Sequence, residues 1–333
     1  MNVLFPLVTA GSGSDIFTMN LASGLTASKI NTDIHYLPSW AGFLPSFASH
    51  LCDSSKFDII HANTWNGFAF TKDTPLVATQ HLMVHDPVYA PYKTQGQRLF
   101  HRLIRSYEHK TLNRADAVIA VSKSVCSTMR KEFGDYDVEI IHNGIDERKF
   151  YPFHVDKTEF IRNSDVTLIL YTGNTSVRKG SDLLPKIMKQ LGKRYVLITT
   201  AGLRTDSYSH LDNIISLGKL TPEELIRAYN ACDIFLFPSR LEGLSLSMLE
   251  AMGCGKPIVT TNTSSMPELI KQDKGGILCA MDDVSEFAEA IRILEGDENE
   301  RKKMGNFNRQ RVLEEFTLEM MTKEYIKIYQ RIH

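Results

Sequence analysis

"DIFLFPSRLEGLSLSMLEAMGCGKPIVTT", residues 233–261, holds three kinds of text in one stretch. "DIFLFPS" (233–239) is a continuous apolar run of strand length. The loop "RLEG" follows, and then an apolar, serine-rich segment that reads as a helix from about Leu244 to Met252. Gly253, Cys254 and Gly255 stop it, and Pro257 bars its continuation. "KPIVTT" (256–261) is then a second strand. Strands that are apolar throughout, separated by a helix, belong to a parallel sheet covered on both faces. Two acids stand in this apolar text, Glu242 in the loop and Glu250 inside the helix.

The same rhythm runs along the chain. Strands are expected at 2–8, 33–37, 57–62, 75–80, 116–122 and 138–142. After a polar stretch near 151–165 the series restarts, with strands at 166–173, 194–202, 213–218, 233–239, 256–261 and 275–280. Helical patterns lie between most of them. The clearest is "TPEELIRAYNAC", where Thr221 caps, Pro222 takes the first helical position and Glu224 completes a capping box. Leu225, Ala228 and Tyr229 mark one face of that helix. Two series divided by a polar hinge imply two doubly wound α/β domains, with ligands beyond the carboxyl ends of the strands and an interdomain cleft as the expected site.

Composition removes several classes. The 333 residues carry a formal charge of -1, which offers no basic field for nucleic acid. No run approaches the length of a transmembrane helix. The opening "MNVLFPLVTAGSGSD" has no basic n-region and reads as a strand and loop rather than a signal peptide. Cys52, Cys126, Cys232, Cys254 and Cys279 form no C-x-x-C pair, so a reducing cytoplasm is the expected location. "DYD" (135–137) looks like a D-x-D metal motif but falls in a polar turn, and no metal is expected.

The opening stretch suggests a ligand. The helix places Glu242 and Glu250 roughly 9–12 Å apart along its axis, and the amides of residues 243–246 lie between them at its positive end, where phosphate is favoured. A carboxylate, an anion cradle and a second carboxylate match the order of a nucleotide sugar: sugar hydroxyls, diphosphate, ribose hydroxyls. The alternative is that Glu242 is a surface loop residue and Glu250 pairs with a nearby cation.

"EGLSLSMLEAMGCGKPIVTT" resembles the E-x7-E signature of retaining glycosyltransferases of the GT-B fold, particularly glycosyltransferase family 4. The likeness extends through "FDIIHA", "ADAVIAVSKS", "IIHNGIDERKF", "YTGNTSVRKGSDLL", "SLGKLTPEELIRAYNACDIFLFPS", "PELI" and "GGILCA". It implies two Rossmann-like domains. Residues 1–153 would form the acceptor-side domain and 154–315 the nucleotide-sugar domain, with a helix at 316–333 packing back on the first. It implies transfer of a hexose from a UDP- or GDP-linked donor, with retention, to a hydroxyl of a glycan or lipid-linked acceptor, in polysaccharide or lipopolysaccharide assembly. No cofactor is required.

By the same resemblance Glu242 contacts the donor sugar and Glu250 the ribose. Gly243, Leu244 and Ser245 hold the diphosphate, and the base sits near Gly218 and Leu220. The family pattern G-R-x4-K-G maps onto "GNTSVRKG": Gly173, Lys179 and Gly180 fall in place, Asn174 stands where arginine is expected, and Arg178 is a substitute cation. A solvated charge pair is the other reading of Arg178 and Lys179. A non-catalytic partner that kept the fold, and a sugar-nucleotide epimerase of the same fold, remain alternatives on this reading.

In the first domain, "GSGSD" (11–15) ends the first strand and opens a helix. Gly13 is offered to the donor, Ser12 and Asp15 to the acceptor; an ordinary turn is the alternative. His81, at a strand end, is placed by the resemblance against the transferred sugar, in preference to His85. His61 and Asn143 are read as strand-end residues facing the cleft, or as satisfying loop backbone groups. The basic, amphipathic segment 92–114 is a candidate for peripheral contact with an anionic membrane at its inner face. A charged outer face on a packed helix is the ordinary alternative.

Overall fold

In the computed structural model the described residues are 1–9, 11–200 and 211–333. All twelve expected strands form. In the first series they are β1 (Asn2–Val8), β2 (Asn31–Leu37), β3 (Ile59–Asn63), β4 (Leu76–Gln80), β5 (Ala117–Ala120) and β6 (Val138–Ile140). In the second they are β7 (Thr167–Tyr171), β8 (Tyr195–Thr199), β9 (Ile214–Ser216), β10 (Ile234–Phe237), β11 (Ile258–Thr261) and β12 (Gly276–Cys279). The expectation of strand at 201 and 202 lies outside the described residues.

Each series builds its own parallel sheet, ordered β2-β1-β3-β4-β5-β6 and β12-β11-β10-β7-β8-β9. The order explains where a site can form. From β7 the chain moves one way to β8 and β9, then returns to the other side of β7 as β10. The loops after β7 and β10 therefore diverge and leave a crevice at the carboxyl ends of the strands. The first sheet has the same reversal between β1 and β3.

The chain divides into two units, Met1–Gly144 with Leu318–His333, and Ile145–Thr317. The first crossing comes earlier than the sequence reading's 153/154, for a physical reason. Residues after Gly144 are held by the second unit: Ile145 N–H donates to Phe316 O at 3.0 Å, Phe153 N–H to Asn230 Oδ1 at 2.9 Å, and Arg309 Nη1 to Phe150 O at 2.6 Å.

The last helix, Leu318–Ile332, belongs to the core of the first unit. Met321, Tyr325, Ile328 and Tyr329 are buried with Phe17, Leu21 and Leu25 of the helix Gly13–Ala27. Its tyrosines also bind the sheet. Tyr329 Oη lies 2.5 Å from His61 Nδ1, His61 Nε2 lies 2.8 Å from Thr79 Oγ1, and Thr79 Oγ1 lies 3.1 Å from Tyr325 Oη. The two helices approach at Gly24, where an added Cβ would sit 2.2 Å from Thr322 Oγ1.

Gly24→Ala is expected to destabilise the protein. Overpacking of this kind costs ~1–3 kcal/mol, more than the ~1 kcal/mol gained in helix propensity. Urea unfolding of Gly24→Ala, and of Gly24→Ala with Thr322→Ala, checks this: the double variant should regain most of the loss.

Candidate active site

Two loops build the site in the second unit. After β7, Thr172 and Gly173 lead into a single tight turn, Val177–Lys179, capped by Ser176 and ended by Gly180. Gly180 has φ +69, and a Cβ there would meet Pro238 O at 2.0 Å. Only glycine allows the turn to lie against the strand end of β10, and this brings Arg178 and Lys179 to Glu242.

Glu242 is 7% exposed. Its Oε1 accepts from Ser239 Oγ at 2.7 Å and Arg178 Nη1 at 3.0 Å, and Lys179 Nζ lies 2.9 Å away. Three donors thus converge on one oxygen, and the described residues put no partner on Oε2. Burial pushes this carboxyl up, but Lys179, Arg178 and the Ser239 hydroxyl more than reverse it and hold it below its ordinary value. Burial likewise pushes the Lys179 ammonium down, against the pull of Glu242. Arg178 also donates to Leu241 O at 2.6 Å, and Lys179 Nζ stands 5.0 Å from the Phe237 ring centroid. The surface-loop reading of Glu242 and the solvated-pair reading of the two cations are both removed. Two cations against one carboxylate leave an excess positive charge.

A second anchor holds the loops in register. Arg240, 3% exposed, grips Asp182 through both terminal nitrogens at 2.7 and 2.9 Å, and donates Nε to Asp282 at 2.7 Å and Nη1 to Val177 O. Sequence reasoning passed over it. The available signal was an arginine set between a buried strand and a buried Leu241, but its partners lie 58 and 42 positions away.

The helix after Glu242 is shorter than expected, Leu246–Gly253. Ser245 caps it, its Oγ accepting from Met248 N–H at 3.3 Å. Gly243 and Leu244 therefore precede the helix in a buried loop, and Ser245 is its cap rather than part of its first turn. The loop is fixed at Glu242, whose N–H donates to Ser264 Oγ at 3.2 Å and whose carbonyl accepts from it at 2.6 Å.

Glu250 pairs with no cation among the described residues. Its Oε2 accepts from Tyr229 Oη at 2.8 Å, and Tyr229 Oη lies 3.0 Å from Thr172 Oγ1. Burial pushes the carboxyl up to about 7, and the tyrosine bond only moderates this. The sequence reading used Tyr229 as a face marker and missed its hydroxyl. Gly173 and Asn174 lie in the same loop as Lys179; the Asn174 carbonyl accepts from Tyr171 Oη at 3.1 Å. Gly218, at φ +72, and Leu220 follow β9 and lead to Thr221, which forms the expected capping box with Glu224.

The first unit's residues separate into two groups. A cavity of about 520 Å³ lies at the ends of β1, β3 and β4, lined in part by Ser12, Asn63, Thr64, Trp65, His81 and Phe100. His81 follows β4 directly, packs edge-on against Phe17 with ring centroids 4.5 Å apart, and is pushed down to about 4 by burial. Gly13 begins the helix with open space around it. Asp15, however, turns back to its own loop, accepting from Gly11 N–H at 2.7 Å and Ser12 Oγ at 3.2 Å. The expectation for His61 is corrected: it is inside β3, 4% exposed, with both ring nitrogens spent on Tyr329 and Thr79. Asn143 is buried just past β6. His85 pairs with Glu108 at 2.7 Å. Asp135 and Asp137 of "DYD" are exposed in a turn.

Residues 154–311 match the family described as Glycosyl transferases group 1, and residues 12–149 match Glycosyltransferase Family 4. An uncharacterised glycosyltransferase of Methanocaldococcus jannaschii is 27% identical over 83% of this chain and 76% of its own length. Sucrose-phosphate synthase from Thermosynechococcus elongatus shares the fold at a TM-score of 0.87 and 20% identity, over 99% of this chain and 98% of that one. Anabaena HepE in complex with UDP-glucose aligns at 0.75 and 16% identity, over 99% and 100%.

The position of Glu250 gives stability a pH signature. Its folded pKa of about 7 lies above the ordinary 4.5. The stability linked to its proton is therefore complete below the unfolded value and lost as pH rises through the folded one. Glu250→Gln should melt higher than wild type at pH 8, by ~1–3 kcal/mol, with the difference closing below pH 5. Thermal melts across that range read it; a gap that widens in acid would show the carboxyl to be ionised.

Proposed function

Because the chain belongs to the glycosyltransferases of the GT-B, family 4 type, we propose that it moves a hexose from a nucleoside-diphosphate sugar, UDP- or GDP-linked, to a hydroxyl of a glycan or lipid-linked acceptor, with retention of configuration. The observation that carries this reading is the convergence of Lys179, Arg178 and Glu242 at the switch point of the second sheet, with Glu250 on the helix that follows. The solved complex of HepE with UDP-glucose supports the donor class. The family supports a role in cell-surface polysaccharide or lipopolysaccharide assembly.

The donor diphosphate takes Lys179 and Arg178, whose hold on Glu242 keeps them preorganised. As the bond from the anomeric carbon to the diphosphate breaks, negative charge grows on the leaving oxygens, and these cations stabilise it. The acceptor hydroxyl attacks the same face. Its proton passes to the departing phosphate, giving the glycoside and the nucleoside diphosphate. Glu242 Oε2 receives a sugar hydroxyl and Glu250 the ribose hydroxyls. Leaving-group charge is met by side chains, so no metal is required.

The cavity of the first unit takes the acceptor, with His81 on its wall. Beside it the helix Gln95–Leu112 buries Ile104, Glu108, Thr111 and Leu112 but exposes Leu99 and Leu103 near its arginines. Phe43, also exposed, has its ring 5.0 Å from Phe100. An apolar edge among cations suits peripheral contact with an anionic membrane, at its cytoplasmic face. Among the described residues no helix is long and apolar enough to cross one.

Lys179→Ala should lower turnover by about 10²–10³, the usual cost of one preorganised donor at developing charge, measured as nucleoside diphosphate released from UDP- or GDP-sugars. A thermal-shift panel of nucleotides tests the donor directly. UDP or GDP should raise the melting temperature of wild type. A panel in which no nucleotide moves it overturns the reading.

A further inference from the structure

The first unit holds a second concentration of positive charge. A hollow of about 250 Å³ is lined by Lys93, Arg98, Arg102 and Arg105, by His85 and His101, and by one carboxylate, Glu132. Glu132 is taken by Arg105, which binds both its side chain and, through Nη2 at 3.2 Å, its carbonyl. His85 is taken by Glu108 at 2.7 Å. Among the described residues Arg98 donates Nη2 to Ala90 O at 2.8 Å, which brings no negative charge. Lys93 and Arg102 pair with no carboxylate among the described residues. Three cations thus share one concavity with no carboxylate in ion-pair contact among the described residues; Asp86 and Glu132 act on Lys93 only through space.

The like charges act on one another. Burial, then the charge of Arg98, pushes the Lys93 ammonium below its ordinary range. Burial, then Lys93 and His85, pushes His101 down to about 4. Like charges drawn together in a concave place are the arrangement that an anion relieves. The hollow is not isolated. His101 lines both it and the 520 Å³ cavity, and His85 of the hollow bonds Glu108 of the cavity.

We propose that the hollow bounded by Lys93, Arg98 and Arg102 binds a phosphate or diphosphate group carried by the acceptor, while the acceptor's hydroxyl-bearing end occupies the adjoining cavity. The inference rests on the acceptor reading given above. Phosphate fits better than carboxylate on charge and shape. A single negative charge leaves two of the three cations uncompensated, whereas a phosphate ester or diphosphate carries about two or more. Two arginine forks present the planar donor pairs that phosphate oxygens accept. The volume suits such a group and leaves the sugar or polyol part to the larger cavity.

The test titrates inorganic pyrophosphate, by calorimetry at low salt, into wild type, Lys93→Ala with Arg102→Ala, and Lys179→Ala. Wild type should show two sites, one at Lys179 and one in the hollow. The Lys93/Arg102 variant should lose at least tenfold in affinity at one site and keep its thermal response to UDP or GDP; Lys179→Ala should lose the other. Arg102→Glu, on an exposed helical position, gives the same reading should the double variant fold poorly. Unchanged pyrophosphate binding in both hollow variants overturns the proposal, even with the nucleotide response intact. Failure of the donor reading is separate, since it is a wild type that no nucleotide stabilises. Co-sedimentation with phosphatidylcholine vesicles, with and without phosphatidylglycerol, separates the sources. Anionic-vesicle binding that the variants lose assigns the group to a lipid headgroup; no vesicle binding beside an intact pyrophosphate site assigns it to a soluble acceptor.

Discussion

One oxygen, Oε1 of Glu242, joins the two loops that make the candidate site of the second unit. It receives Ser239 from its own loop, and Arg178 and Lys179 from the loop after β7. Neither the Glu242 carboxylate nor the Lys179 ammonium would be stable in place alone. A buried carboxylate or ammonium without its partner costs roughly 3–5 kcal/mol, so each justifies the burial of the other. The cluster therefore fixes the separation of the loops, and it does so while keeping one cation more than it needs.

That excess changes the meaning of Asn174. The family resemblance expects an arginine there; a cation, Arg178, stands four positions later on a turn that only glycine at 180 can close. Arg240 repeats the logic with the balance reversed, one guanidinium between Asp182 and Asp282. Its charge is more than met by two carboxylates, and it holds the loops together. The positive cluster and the acid-rich strut are distinguished by how many carboxylates face the cations.

The first unit follows a different rule. Its histidines at 61, 81 and 85 look alike in sequence, each close to a strand end, and the fold sends them to three fates. His61 is sealed between Thr79 and Tyr329, His85 is committed to Glu108, and His81 is left on the cavity wall. The tyrosine that seals His61 comes from the far end of the chain, 268 positions away.

The sequence alone determined both sheets. Apolar runs of strand length alternating with amphipathic helices admit little else, because period and length are local properties. It also determined the capping box at Thr221 and the pairing of Glu242 with a helix that starts nearby, since these too are written within a few residues. It did not determine which groups would meet. The earlier domain crossing at Gly144, the grip of Arg240 on Asp182 and Asp282, the Tyr229 hydroxyl on Glu250 and the burial of His61 all depend on partners brought from distant segments. Such contacts are decided by strand order and by where glycines allow backbones to touch. Tertiary structure therefore decided the company that Glu242, Lys179, Glu250 and His81 keep, while the chain's local pattern decided only where each would stand.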